Sequence, residues 1–172
     1  VRSFDIRLAD NALVYLTGDA DWTAASAYDP DILPIDRSLT ALDGGGRAEL
    51  ARGPLSVPLF RPGGDRITFR VIMRTGLISP VISDAPTGIW SVVRAGRAPV
   101  PLLLDAPTSD PSLPPEILIQ YDPVAWSPDG SRLLISVYPG VGEAAWLAIL
   151  NNDATFQELE AGCCGDSIWS PD

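Results

Sequence analysis

The sequence predicts an all-β fold built from four-stranded antiparallel meanders, stacked as β-propeller blades. Three observations lead there. Trp126-Ser127-Pro128-Asp129-Gly130 recurs as Trp169-Ser170-Pro171-Asp172, with the two tryptophans 43 residues apart, and self-similarity at about that period is the length of one propeller blade. A gapless copy, Phe60 to Val71, keeps the aromatic, the proline, the second glycine, an arginine and the alternating strand of Trp126 to Val137. Between these copies lie short β-rich runs separated by Gly-, Asn- and Asp-rich turns, which is hairpin chemistry.

Taken in chain order, Leu8-Ala9-Asp10-Asn11 followed by Leu13-Val14-Tyr15-Leu16 is a faint first copy that retains only the turn and the strand. Leu39 to Leu42, the turn Asp43-Gly44-Gly45-Gly46 and the run Arg47 to Leu50 form the returning hairpin of that unit. In the second unit Ile67, Phe69, Val71 and Met73 fall on one face of a strand, with Thr68 and Arg70 on the other. Ile89 to Val93, then Gly96, then Leu102 to Leu104 supply its outer hairpin. In the third unit Pro128 presets φ for the second position of a type I turn, Asp129 suits the third, and Gly130 tolerates positive φ. The Leu133 to Val137 strand after it is apolar on both sides, as a central strand packed between two blades should be. Trp126 is then expected as a fully buried wedge between adjacent blades, contributing area and shape. Glu143 to Leu150 has helical composition, but the repeat phase makes its end a strand, followed by the Asn151-Asn152-Asp153 turn and Phe156 to Leu159.

These residues resemble the TolB-type, or WD40-like, propeller repeat, whose blades begin with a Trp-Ser-Pro-Asp-Gly turn. The resemblance is carried by Trp126 to Val137 and Trp169 to Asp172, and less fully by Phe60 to Val71 and Ser38 to Leu50. It implies a single β-propeller portion over 1–172, with blades at 1–54, 55–121 and 122–167 and a further blade starting at 168–172. About three blades fall short of the four to eight of a closed ring. The chain is therefore expected to be part of a larger propeller, or to complete one by self-association through exposed end blades.

Composition narrows the function. The net charge is −10 and the pI near 4.3, which argues against nucleic acid, since that partner demands Lys/Arg clusters. No apolar run approaches the roughly 18 residues of a membrane helix. There is no histidine, and all 12 basic residues are arginines, so Ser-His-Asp, Cys-His and lysine-based nucleophilic catalysis are excluded. No catalytic residue, metal ligand or cofactor site is assigned. The resemblance instead implies a non-catalytic interaction module of the cell envelope, outside the cytoplasm, with a protein, peptide or glycan partner. The alternative it implies is part of the substrate-gating propeller of a prolyl-oligopeptidase-type serine peptidase.

Several further features are candidate sites. Asp19 with Asp21 and Asp29 with Asp31 could serve as acid and base or gather calcium, but Asp is ordinary in loops beside Gly18, Pro30 and Pro34. Cys163-Cys164, between Gly162 and Gly165, either forms a strained vicinal disulfide or stays reduced as two small apolar residues. Asp105 to Glu116, Thr75 to Pro86 and Trp22 to Pro34 read as exposed insertions and hence as candidate contact loops.

Overall fold

The computed structural model describes residues 3–18, 37–72, 86–95, 98–108, 111–112, 118–139, 144–159 and 169. Those residues form strands, turns and extended links without a helix. The first sheet runs β1 (Ser3–Arg7), β2 (Ala12–Gly18), β3 (Arg37–Asp43) and β4 (Gly46–Gly53), each antiparallel to the one before. The second repeats the meander with β5 (Leu55–Phe60), β6 (Arg66–Val71), β7 (Gly88–Val93) and β8 (Val100–Leu104). The third comprises β10 (Leu118–Trp126), β11 (Arg132–Tyr138), β12 (Trp146–Asn151) and β13 (Phe156–Glu158). A two-residue strand, β9 (Ala106–Pro107), lies along the free edge of β10.

The sheets stack face to face. Ala12, Val14, Leu16, Leu39 and Ala41 of the first sheet pack on Leu55, Phe60, Ile67, Phe69, Val71 and Val92 of the second. Across the next interface, Ile89 of the second sheet meets Tyr121, Leu133, Ile135, Val137, Ala148 and Leu150 of the third. The first strands of successive sheets are neighbours, β1 against β5 and β5 against β10, as blades arranged around an axis require. Both faces of β6 are consequently buried: Thr68 and Arg70 are as inaccessible as Ile67 and Phe69.

Register makes the repeat explicit. Phe60 pairs with Ile67 and Ile67 with Val92, while Trp126 pairs with Leu133 and Leu133 with Leu150. The first sheet has the same row, Ile6 to Leu13 to Leu42, with the same seven-residue step from its first member to its second. Ile6 therefore stands where the other two blades carry an aromatic wedge. The hairpin geometry also recurs, because Arg61 N donates to Arg66 O at 2.9 Å and Ser127 N donates to Arg132 O at 2.8 Å. In the third blade Gly130 N donates to Ser127 O at 2.8 Å and Gly130 sits at φ 69°, the turn expected for Ser-Pro-Asp-Gly. In the second blade the positive φ falls on Gly63, not on the second glycine that aligns with Gly130.

Two readings from the sequence are corrected. Trp126 is a wedge between blades but only half buried, because its indole lies at the mouth of an open cleft. Asp105 is not the start of an exposed loop: its side chain is fully buried, and the residues after it pair as β9. The strand that the repeat phase predicts at the end of Glu143 to Leu150 is present, since Trp146–Asn151 is hydrogen-bonded to β11. Asp19, Asp21, Asp29, Asp31, Cys163, Cys164, the Trp22 to Pro34 segment and nearly all of Thr75 to Pro86 lie outside the described residues, as do Ser170 to Asp172.

Candidate functional site

An arginine ladder crosses the stacked blades at their hairpin end. Arg7, the residue after Ile6, reaches to the second blade, donates to Gly64 O at 2.6 Å and lies 5.2 Å from the Phe60 ring centroid. Arg61, the residue after Phe60, reaches to the third blade, donates to Gly130 O at 2.8 Å and lies 5.0 Å from the Trp126 ring. These are equivalent residues making equivalent contacts, a cation–π stack plus a hydrogen bond to the fourth residue after the wedge. Trp169 is held in a related way, with Arg132 at 4.8 Å from its ring and its Nε1 donating to Ala125 O at 3.0 Å.

Beside the second rung the blades part. A cleft of about 260 Å³ opens between the second and third sheets, lined by Arg61, Arg66, Leu102, Trp126, Leu150, Asn151, Asn152 and Ala154. Its volume approaches the roughly 300–1,000 Å³ of small-molecule sites. Arg61 is fixed in place, its second nitrogen donating to Asn152 Oδ1 at 2.8 Å. Trp126 Nε1 donates to Thr68 Oγ1 at 3.2 Å, which anchors the indole to the second blade. Arg66 is exposed and makes no ion pair among the described residues. The cleft thus offers two guanidinium groups, an indole and two carboxamides, with no carboxylate in its lining, in a chain of net charge −10. That lining suits an anionic ligand carrying a flat apolar patch and hydroxyls.

A second polar cluster lies further along β6. Arg70, fully buried, forms a two-pronged ion pair with Asp105 at 2.9 and 3.0 Å, meets Asp122 at 2.5 Å through Nε, and donates to Tyr121 O at 2.7 Å. Asp105 also accepts Tyr121 N at 3.2 Å. Burial pushes the Asp122 carboxyl above the usual carboxylate range against the pull of Arg70, and burial likewise raises Tyr121. All donors of Arg70 are directed at the third blade and its lead-in, so the cluster joins blades.

Neither cluster was singled out from sequence. The one available signal for Arg70 is a charged residue inside the apolar run Ile67 to Val71, where both faces of a central strand are covered. For Arg61 it is an arginine directly after the wedge aromatic.

Fold and site together define a β-propeller protein, with three successive blades among the described residues. Among solved structures, the chain is similar to an oligogalacturonate lyase in complex with manganese, at TM-score 0.54 and 17% identity, covering 86% of this chain and 38% of that one. That neighbour is a seven-bladed β-propeller protein, and this chain spans under two fifths of its length. No family model and no curated protein matches the chain. The likeness corrects one expectation: blade motifs do not entail a non-catalytic interaction module, because a fold of this kind is found in an enzyme. Among the described residues no three His, Cys, Asp or Glu side chains converge, and Asp105 and Asp122 are turned to Arg70. No described helix is long and apolar enough to cross a membrane.

Proposed function

We propose that the chain is the saccharide-binding sector of a β-propeller enzyme acting on acidic oligosaccharides, with uronate-bearing chains as the substrate class. The observation that carries this reading is the cleft between the second and third blades. Arg66 presents an unpaired guanidinium for a sugar carboxylate, Trp126 an indole for the apolar face of the ring, and Asn151 and Asn152 amides for its hydroxyls. The name of the structural neighbour, an oligogalacturonate lyase, agrees with that chemistry. The hairpins at Phe60 and Trp126 support a reading of the repeats as TolB-type.

Isothermal titration with trigalacturonate against neutral maltotriose tests the reading. Binding of the acidic sugar alone is expected, and Arg66→Ala should weaken it about tenfold or more, the worth of one charge-assisted hydrogen bond. Equal binding of both sugars, or an Arg66→Ala variant with unchanged affinity, refutes it.

A further inference from the structure

The two arginine rungs are equivalent in place but differ in charge balance. Arg7 is neutralised twice. Asp10, four residues after Ile6, holds it at 2.6 and 2.9 Å, and Asp65, five residues after Phe60 in the next blade, meets it at 3.3 Å. At the second rung the same two positions are Gly64 and Ser131, so both carboxylates are gone. Arg61 accordingly makes no ion pair among the described residues. Its Nε donates to Gly130 O and Nη2 to Asn152 Oδ1, both neutral acceptors, while Nη1 has no partner there.

Arg66 stands directly across the hairpin from Arg61. Arg61 N donates to Arg66 O at 2.9 Å, and residues opposed in this way project to one face, where like charges repel. Both line the same cleft. The hairpin end therefore holds two neighbouring guanidinium groups without a counterion from the chain, in a protein of net charge −10. One carboxylate would balance only one of them, whereas two neighbouring carboxylates balance the pair. We infer that Arg61 is a second anion-binding group of the cleft and that, with Arg66, it selects ligands carrying two neighbouring carboxylates, as two linked uronate residues do, over ligands carrying one. This rests on the saccharide reading and adds to it the charge count of the ligand. Gly64 is the residue that keeps Arg61 free, since an aspartate there would repeat the Arg7–Asp10 pair on the same three-residue spacing.

Isothermal titration with digalacturonate and with its two monomethyl esters tests the inference, because these sugars share size and shape and differ in one charge. Digalacturonate should bind about tenfold or more tightly than either ester. Gly64→Asp should bring that ratio to within about twofold, by placing a carboxylate beside Arg61 where a Cβ meets nothing closer than Arg66 N at 4.0 Å. Gly64→Asn, of the same size and without the charge, should keep the ratio of the parent chain. Arg61→Gln removes the charge from the other side and reads the same ratio if Gly64→Asp does not fold. Equal binding of digalacturonate and its esters by the parent, all of them above neutral maltotriose, overturns the inference and leaves the saccharide reading standing. A ratio that survives in folded Gly64→Asp, or in Arg61→Gln, overturns it as well. Absence of binding by every acidic sugar removes the saccharide reading and this inference together.

Discussion

Replacing Arg70 by methionine removes a charge whose partners all sit on the third blade or its lead-in. Asp105, its side chain 0% exposed, would be left in the interior facing only Tyr121 N–H. Breaking a buried ion pair by deleting one partner costs about 3–5 kcal/mol, because the surviving charge has no compensation. With a urea m-value of about 2 kcal/mol/M, a loss of 4 kcal/mol lowers the unfolding midpoint by about 2 M. Removing the carboxylate as well, in Arg70→Met with Asp105→Leu, should recover about half of that, leaving the cost of the orphaned Tyr121 amide at about 1–3 kcal/mol. The assay is urea denaturation followed by tryptophan fluorescence, with the four proteins arranged as a double-mutant cycle. A loss under about 1 kcal/mol for Arg70→Met, or strict additivity in the cycle, would refute the view that this cluster is desolvated and coupled.

Trp126→Ala should cost about 2 kcal/mol, less than the roughly 3–5 kcal/mol of a fully buried aromatic, and Trp126→Phe about 1 kcal/mol for the lost Thr68 bond; calorimetric unfolding distinguishes the two. Gly130→Ala places a Cβ against the Pro62 carbonyl at φ 69°, so a loss above the about 1–3 kcal/mol of left-handed strain is expected. Gly64→Ala, whose Cβ would meet nothing closer than Arg66 N at 4.0 Å, should change stability by less than about 0.5 kcal/mol. Equal melting temperatures for these two alanine variants would contradict the turn assignment. Asp129 is held well below the usual carboxylate range by bonds from Ser127 Oγ and from Ser131 N and Oγ. It therefore binds fewer protons folded than unfolded, and the stability it gives is present above the ordinary aspartate pKa of about 3.9 and lost as pH falls below it. Asp129→Asn should flatten the acid limb of a stability-against-pH curve below about pH 4, and an unchanged limb would count against the bonds.

The blades were legible because turn chemistry and aromatic period are local. Pro128, Asp129 and Gly130 dictate a hairpin whatever surrounds them, and the alternation from Ile67 to Val71 fixes a strand. The same logic could not find Asp105. It follows an apolar strand and opens a Pro-rich stretch, so local composition says loop, and only the arrival of Arg70 from a neighbouring strand gives it a reason to be buried. Trp126 lies between blades as its motif predicts but is only half enclosed, because depth depends on how far two sheets splay at their hairpin ends. The cleft itself is made by residues from both blades, Arg61 and Arg66 from one and Asn151 and Asn152 from the other, which no single motif contains.

The two interfaces share an arginine rung at the hairpin end but differ deeper in the sheets, and the difference bears on the site. The first blade offers the second an apolar face of Ala12, Val14 and Leu16, whereas the second offers the third Thr68, Arg70 and Ile89, with Ser91 on the same strand. Apolar contact is non-directional and tolerates small slides. Charged and hydrogen-bonded contact does not, and here it occurs in two regions of the second blade: at the hairpin end, where Arg61 and the Trp126–Thr68 bond join the blades, and at Arg70, four residues into β6 from Arg66, about 13 Å away at strand rise. Two directional attachments that far apart fix both the distance and the tilt between blades, and the cleft is bounded by the blades so fixed. Supporting contacts of this sort hold binding groups in geometry. Arg70→Met should therefore weaken trigalacturonate binding although Arg70 lines no part of the cleft, measured at a urea-free temperature well below unfolding. If affinity is untouched while stability falls, the cleft is held by the hairpin-end contacts of Arg61 and Trp126.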